Sequence, residues 1–191
     1  MELEGLVGRY FPERGAEIRA YAQFLASAGI ERGLIGPREG DRIWERHIFN
    51  CLHITTLLPD GAELFDIGSG AGLPGIVIAL ARPDVKVTLI EPLERRVEFL
   101  QEAVAGSSIK VIRGRAQDVK ERADFVTARA VAPLAKLQKL TWPLIKPGGA
   151  LLAMKGESAT REMEGVAGAK LHEIELDGVG LGRIVEVRKT K

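Results

Sequence analysis

The chain has 191 residues, 46% of them hydrophobic and 28% charged, with a formal net charge of +1. That length suits one domain with an appendage and a substantial core, and no apolar run approaches the roughly 20 residues that cross a bilayer, so membrane spanning is not expected. The acid-bearing start "MELEGLVGRYFPERG" is unlike a secretory leader, and the single cysteine, Cys51, excludes an internal disulfide; both predict a reducing, cytoplasmic setting.

The charge is unevenly spread. Residues 1–60 hold seven Arg and no Lys against nine acids, whereas residues 110–155 hold ten basic residues against three acids, a local excess of +7. Such an excess gathers phosphates even on a near-neutral molecule, although Lys and Arg are also the ordinary covering of a solvated surface.

From Glu13 to about Ala28, the apolar residues Ile18, Tyr21, Ala22, Phe24 and Leu25 recur at helical spacing, and Gly29 supplies a stop. Gly33, Gly36, Pro37 and Gly40 punctuate a connection. Asp41 then caps an expected second helix with Ile43, Trp44, Ile48, Leu52 and Leu57 on its face, ending before Pro59. Residues 1–60 thus read as an N-terminal helical extension, and residues 61–191 as the main domain.

Beyond Glu63 the pattern changes to short apolar strands, "LFDI", "VKVTLI", "IKVI", "DFVTAR" and "ALLAMK", separated by the helical stretches "PGIVIALAR", "LERRVEFLQEAVAG" and "APLAKLQKLTWPLI". Strand and helix in alternation imply a parallel sheet covered on both faces, a doubly wound α/β domain. The tail breaks this rhythm: "KLHEIEL", the turn "DGVGLG" and "RIVEVRK" predict an antiparallel hairpin. A mostly parallel sheet finished by such a hairpin is the Rossmann-like arrangement of class I methyltransferases.

The stretch "LFDIGSGAGLPG", residues 64–75, fits two cofactor signatures. Gly70-x-Gly72-x-x-Gly75 is a dinucleotide fingerprint; Asp66-x-Gly68-x-Gly70-x-Gly72 is the first loop of an S-adenosyl-L-methionine site. Both need glycines where the backbone turns tightly and a ligand approaches closely, and a turn serving only strand-to-helix packing looks the same. Asp66 favours the methyl donor, because a carboxylate attracts its amino and sulfonium cations and gains nothing from a pyrophosphate. Glu91, ending the second strand, can accept hydrogen bonds from ribose hydroxyls in either ligand. "KPGG" before the fifth strand recurs in class I methyltransferases.

Together with "RHIFNC", "IEPLERRVEFL", "GRAQD", "ARAVAPL" and "LIKPGGALLAMKG", these motifs make residues 34–189 resemble the bacterial small-subunit ribosomal RNA guanine-N7 methyltransferases, also called glucose-inhibited division protein B or RsmG. The resemblance implies transfer of a methyl group from S-adenosyl-L-methionine to N7 of a guanosine in 16S ribosomal RNA, within the small ribosomal subunit or its precursor. It implicates Gly68 and Leu73 in the loop, beside Gly70 of the glycine signature, Glu91, Pro92 and Leu93 after the second strand, and Ala116 and Gln117 after the third as cofactor contacts. Arg129 joins them, and Arg129, Lys155 and His47 become the candidate catalytic groups. Arg46, Arg95, Arg96, Arg115 and Lys155 are the expected RNA contacts, and no protein partner is called for. Members commonly read Arg-His-x-x-Asp-Ser where this chain has Arg46-His47-Ile48-Phe49-Asn50-Cys51, so no acid is available at Asn50.

Guanine N7 presents an in-plane lone pair and no proton, so transfer to it needs positioning and no general base. Arg129 or Lys155 would donate to O6 and leave N7 free. Each candidate has a plainer reading: Arg129 paired with Asp118 or Asp124, His47 as a packing residue, Arg95 and Arg96 as a solvated helix face, and Trp44 and Trp142 as core. His47, Cys51 and His53 do not make a metal set, because His53 faces elsewhere on a helix. No nucleophile elbow of the Gly-x-Ser-x-Gly kind is present.

Overall fold

A computed structural model describes residues 2–190. Among the described residues, seven strands form one sheet in the order β3-β2-β1-β4-β5-β7-β6. They are β1 (Glu63–Ile67), β2 (Lys86–Glu91), β3 (Lys110–Arg113), β4 (Ala123–Arg129), β5 (Ile145–Met154), β6 (Ala169–Leu176) and β7 (Gly180–Arg188). Pairings from β3 through β5 are parallel, whereas β7 runs antiparallel to both β5 and β6. The expected hairpin is present with one refinement: its second strand slots in between β5 and β6, so the reversed strand is internal.

Period-two alternation sends neighbours on each central strand into opposite apolar layers. Leu64, Leu89 and Leu152 face the layer shared with α3 (Gly75–Ala81) and α4 (Glu94–Ala103). Phe65, Ile90 and Leu151 face the layer beneath α5 (Leu134–Thr141) and α6 (Ala159–Met163). The N-terminal helices α1 (Leu3–Tyr10) and α2 (Gly15–Phe24), with Phe11 just after α1, bury Leu6, Val7, Phe11, Ile18 and Tyr21 in the first layer, each large side chain contributing about 1.5–3 kcal/mol. The first sixty residues therefore share the main core.

Several helical expectations are corrected. The helix expected from Glu13 to Ala28 is α2 followed by a π-turn over Leu25–Gly29, and α1, two of whose eight residues are glycine, escaped the pattern. Residues 40–57 form no single α-helix: a 3-10 turn at Gly40–Arg42 leads to a π segment at Ile43–Ile48 and a 3-10 segment at Phe49–Leu57, and Asp41 makes no capping bond. The side chains of Cys51, Thr55 and Thr56 donate to the carbonyls of His47, Leu52 and His53, and such bonds compete with the regular helical ladder. α5 stops at Thr141 with Pro143 following, and the β3-to-β4 connection holds only a 3-10 turn at Ala116–Asp118. Trp44 tilts against Phe49 at 5.5 Å between ring centroids, and Trp142 packs on the second layer under Lys189.

Candidate active site

The parallel register sets Asp66 level with Leu89 on β2 and Thr127 on β4, bringing the carboxyl ends of three strands together. The chain leaves β1 through a turn in which Gly68, Gly70 and Gly72 have φ of 65°, 58° and 93°, a region that side chains disfavour. The Gly68 amide donates to Ile90 O at 2.8 Å, and Ser69 Oγ donates to Asp66 O, also at 2.8 Å, locking the turn to β1 and β2. Tyr21 of α2 donates its hydroxyl to Ala71 O at 2.7 Å, so the N-terminal helices brace the turn from behind.

Asp66 is fully buried; its Oδ2 accepts the Gly75 amide at 3.0 Å, and its Oδ1 has no partner among the described residues. Burial pushes this carboxyl up to about 7, against the opposing pull of the Gly75 amide and Arg129. A Cβ on Gly75 would stand 2.3 Å from Leu89 Cδ2 and 2.7 Å from Asp66 Oδ2. This arrangement decides against the dinucleotide reading, since the amide that would receive a pyrophosphate at the start of α3 is already taken by a carboxylate.

Glu91 is 1% exposed, with Oε2 accepting the Gly70 amide and Oε1 the Leu93 amide, both at 3.0 Å. Each oxygen keeps a second lone pair, and a Cβ on Gly70 would meet nothing nearer than Gly68 O at 3.8 Å. The turn thus leaves open space at Gly70 beside the buried, rigidly held carboxylate of Glu91, whereas Asp66, expected to meet the donor's cations, is fully buried and braces the start of α3 instead. A cationic ligand bearing vicinal hydroxyls fits that donor and acceptor set. Leu93, 45% exposed after β2, and Val131, 40% exposed after β4, offer apolar surface there, Val131 lying where a Cβ on Gly68 would come within 2.9 Å. Pro92 and Gln117 are exposed, and Ala116 is buried.

Arg96 does not open freely to solvent. Its NH1 lies 3.8 Å from Glu91 Oε2 and its buried Nε has no partner among the described residues, whereas Arg95 is exposed. Arg115 is exposed, its amide bonded to Asp118. Arg129, at the end of β4, pairs with neither Asp118 nor Asp124; Asp124 is held by Lys146, and Arg129 NH2 contacts His47 Nδ1 at 3.2 Å. The next residue, Ala130, has φ 55° without being glycine, a strain of roughly 1–2 kcal/mol.

Two acids that motif reading passed over complete the picture. Glu39 holds Arg46 NH1 at 2.9 Å and His47 Nε2 at 3.0 Å. Glu162 holds Lys155 Nζ at 2.6 Å, while that ammonium also donates to Ala132 O at 3.0 Å and Glu162 accepts the Leu134 amide. The Lys155 pair keeps the Glu162 carboxyl below its ordinary value. Lys155 thereby ties β5, α6 and the 130–134 loop together, with its side chain only 10% exposed.

Burial, then the Arg129 charge, lowers the proton affinity of His47 against Glu39, which raises it. Cys51 is fully buried with its thiol pushed up to about 12 by burial, and His53 is enclosed between Asn50 O and Gly180 O. No group of three metal-ligating side chains occurs among the described residues, and no helix is long and apolar enough to cross a membrane. A cavity of about 910 Å³ lined by Phe65, Leu80, Lys110 and Arg122 includes no residue of the glycine turn.

Residues 14–177 match the family described as rRNA small subunit methyltransferase G. The protein "Ribosomal RNA small subunit methyltransferase G" of Thermobifida fusca is 56% identical over 149 residues, 75% of this chain and 63% of its own length. Its namesake in Mycolicibacterium gilvum is 57% identical over 160 residues, 80% of this chain and 70% of its own. This chain thus spans under two thirds of the first relative and slightly more of the second. Aeropyrum pernix fibrillarin, solved in complex with S-adenosyl-L-methionine, superposes with a TM-score of 0.52 at 18% identity over 73% of this chain and 76% of that one, a likeness of fold. With its Rossmann-like sheet and its glycine turn, the chain belongs to the rRNA small subunit methyltransferase G family.

Proposed function

We propose that the chain transfers the methyl group of S-adenosyl-L-methionine to N7 of a guanosine in small-subunit (16S) ribosomal RNA or its precursor, as a cytoplasmic enzyme. The observation that carries this reading is the glycine turn whose Gly70 amide is bonded to buried Glu91, in a chain of this family. The donor would supply a methyl carbon activated by a sulfonium. Glu91 would accept the ribose hydroxyls, Gly68, Gly70 and Leu73 would admit the ligand against backbone, and Leu93 with Ala116 and Gln117 would flank its base.

Two further observations support the acceptor. The imidazole nearest Arg129 has both nitrogens engaged, leaving His47 no free lone pair to take a proton; an acceptor that needs no deprotonation, such as N7, suits this site. Residues 125–156 contain no Asp or Glu, and Lys136 and Lys139 on α5, Arg161 on α6, and Arg95 and Arg115 are exposed with no ion-pair partner among the described residues. This is the cation set that phosphates require. Arg46, Arg96 and Lys155, by contrast, lie against Glu39, Glu91 and Glu162, so we assign them to shaping the site. Arg129 keeps donors free for guanine O6. The groove of A-form RNA that carries N7 is too narrow for side chains, so the target base is unpaired or turned out.

Incubation with methyl-labelled donor and unmodified 16S RNA or small subunits, followed by borohydride and aniline scission, tests the reading. A single cleavage at a labelled guanosine is expected. Label that stays off RNA, or sits where the backbone resists scission, would overturn it.

A further inference from the structure

We propose that Glu39 is a positioning residue for this transfer, acting through His47 to fix the guanidinium of Arg129 at the carboxyl end of β4. The inference rests on the function proposed above, but its geometry stands independently. A guanidinium only donates, so the 3.2 Å contact from Arg129 NH2 requires a lone pair on His47 Nδ1. The ring proton is then on Nε2, where the Glu39 carboxylate accepts it at 3.0 Å. One tautomer satisfies both contacts, and the acid reinforces from Nε2 what Arg129 requires at Nδ1.

Arg129 needs such an anchor. Its side-chain contact is to His47 and not to a carboxylate among the described residues, and the backbone beyond it turns at once into the left-handed conformation of Ala130. His47 is 15% and Glu39 23% exposed at the side chain, so solvent competes weakly for either bond. The second Glu39 oxygen is held by Arg46, which orients the carboxylate. With NH2 directed at His47, Nε and NH1 of Arg129 remain available to an acceptor in the cleft. The charged groups around the imidazole are Glu39, Arg46 and Arg129; of these only Glu39 favours a second proton, which would go onto Nδ1 and expel Arg129.

The test uses Glu39→Ala and Glu39→Gln in the full chain. Nitrogen-15 NMR of labelled histidine should show wild-type His47 with a pyridine-like Nδ1 and a pyrrole-like Nε2; Glu39→Ala should give a tautomer mixture. Turnover on 16S RNA should fall roughly 10- to 100-fold in Glu39→Ala, while affinity for S-adenosylhomocysteine by calorimetry stays within about twofold. Glu39→Gln, whose amide oxygen still accepts the Nε2 proton, should retain most turnover but show its acid limb at lower pH, since the charge that favours protonation is gone. Wild-type turnover or an unchanged tautomer in Glu39→Ala would overturn the inference. Should Glu39→Ala fail to fold, an unshifted acid limb in Glu39→Gln would do so. If the wild-type protein does not methylate RNA, the functional reading falls, and the NMR result alone decides whether Glu39 governs His47.

Discussion

Replacing Asp66 by Asn should flatten the pH dependence of stability above pH 5. Asp66 is fully buried, and burial raises its carboxyl from 3.8 to about 7. In the unfolded chain this group gives up its proton near 3.8, in the folded chain near 7, so between those values the native state binds more protons. Its contribution is complete below the lower value and is lost as pH rises through the upper one. The shift amounts to roughly 4 kcal/mol in all, of which roughly 3 kcal/mol is lost between pH 5 and pH 9. Asn can still accept the Gly75 amide and cannot ionise. Urea denaturation at intervals across that range should show wild-type stability declining relative to the variant by this amount, or a melting-point gap that widens by roughly 6–12 °C. Titration of the histidines is common to both proteins and cancels in the difference. Parallel curves would show that the buried carboxyl ionises as it does in water.

Other consequences are as concrete. Gly75→Ala forces a Cβ onto Leu89 and Asp66, and should destabilise by about 1–3 kcal/mol in equilibrium unfolding. Lys155→Met strands the half-buried Glu162 carboxylate, and should cost about 1–3 kcal/mol and loosen the 130–134 loop, visible as faster amide exchange at Leu134. Lys136→Glu combined with Lys139→Glu should weaken RNA binding and make its logarithmic salt dependence shallower by about 1.4, two phosphate contacts at roughly 0.7 each, while leaving donor binding unchanged. With its thiol pushed up to about 12, Cys51 should resist alkylation at pH 8 until denaturant is added.

The strands of the central sheet were legible because each is a short apolar run between turn residues, and Asp66, the glycine turn and Glu91 lie within thirty residues of one another. The same local logic failed over residues 40–57, where apolar spacing identifies a buried face but side-chain bonds from Cys51, Thr55 and Thr56 decide how the backbone coils. Glu39 sat in a glycine- and proline-punctuated connection, and its importance comes from Arg129, which reaches His47 across 82 residues of sequence. No window or periodicity registers that meeting. Lys155 illustrates the opposite error: its motif suggested a free donor, and only the fold reveals the carboxylate of Glu162 on the short helix that follows.

The reversed strand β7 lies between β5 and β6, although it comes last of the seven in sequence. During synthesis the outer edge of β5 therefore waits, unzipped, for residues from Gly180 onward to leave the ribosome. A nascent chain cut short before that point would offer its longest strand as a ready template for intermolecular pairing, so for this fold an unfinished copy is more hazardous than an absent one.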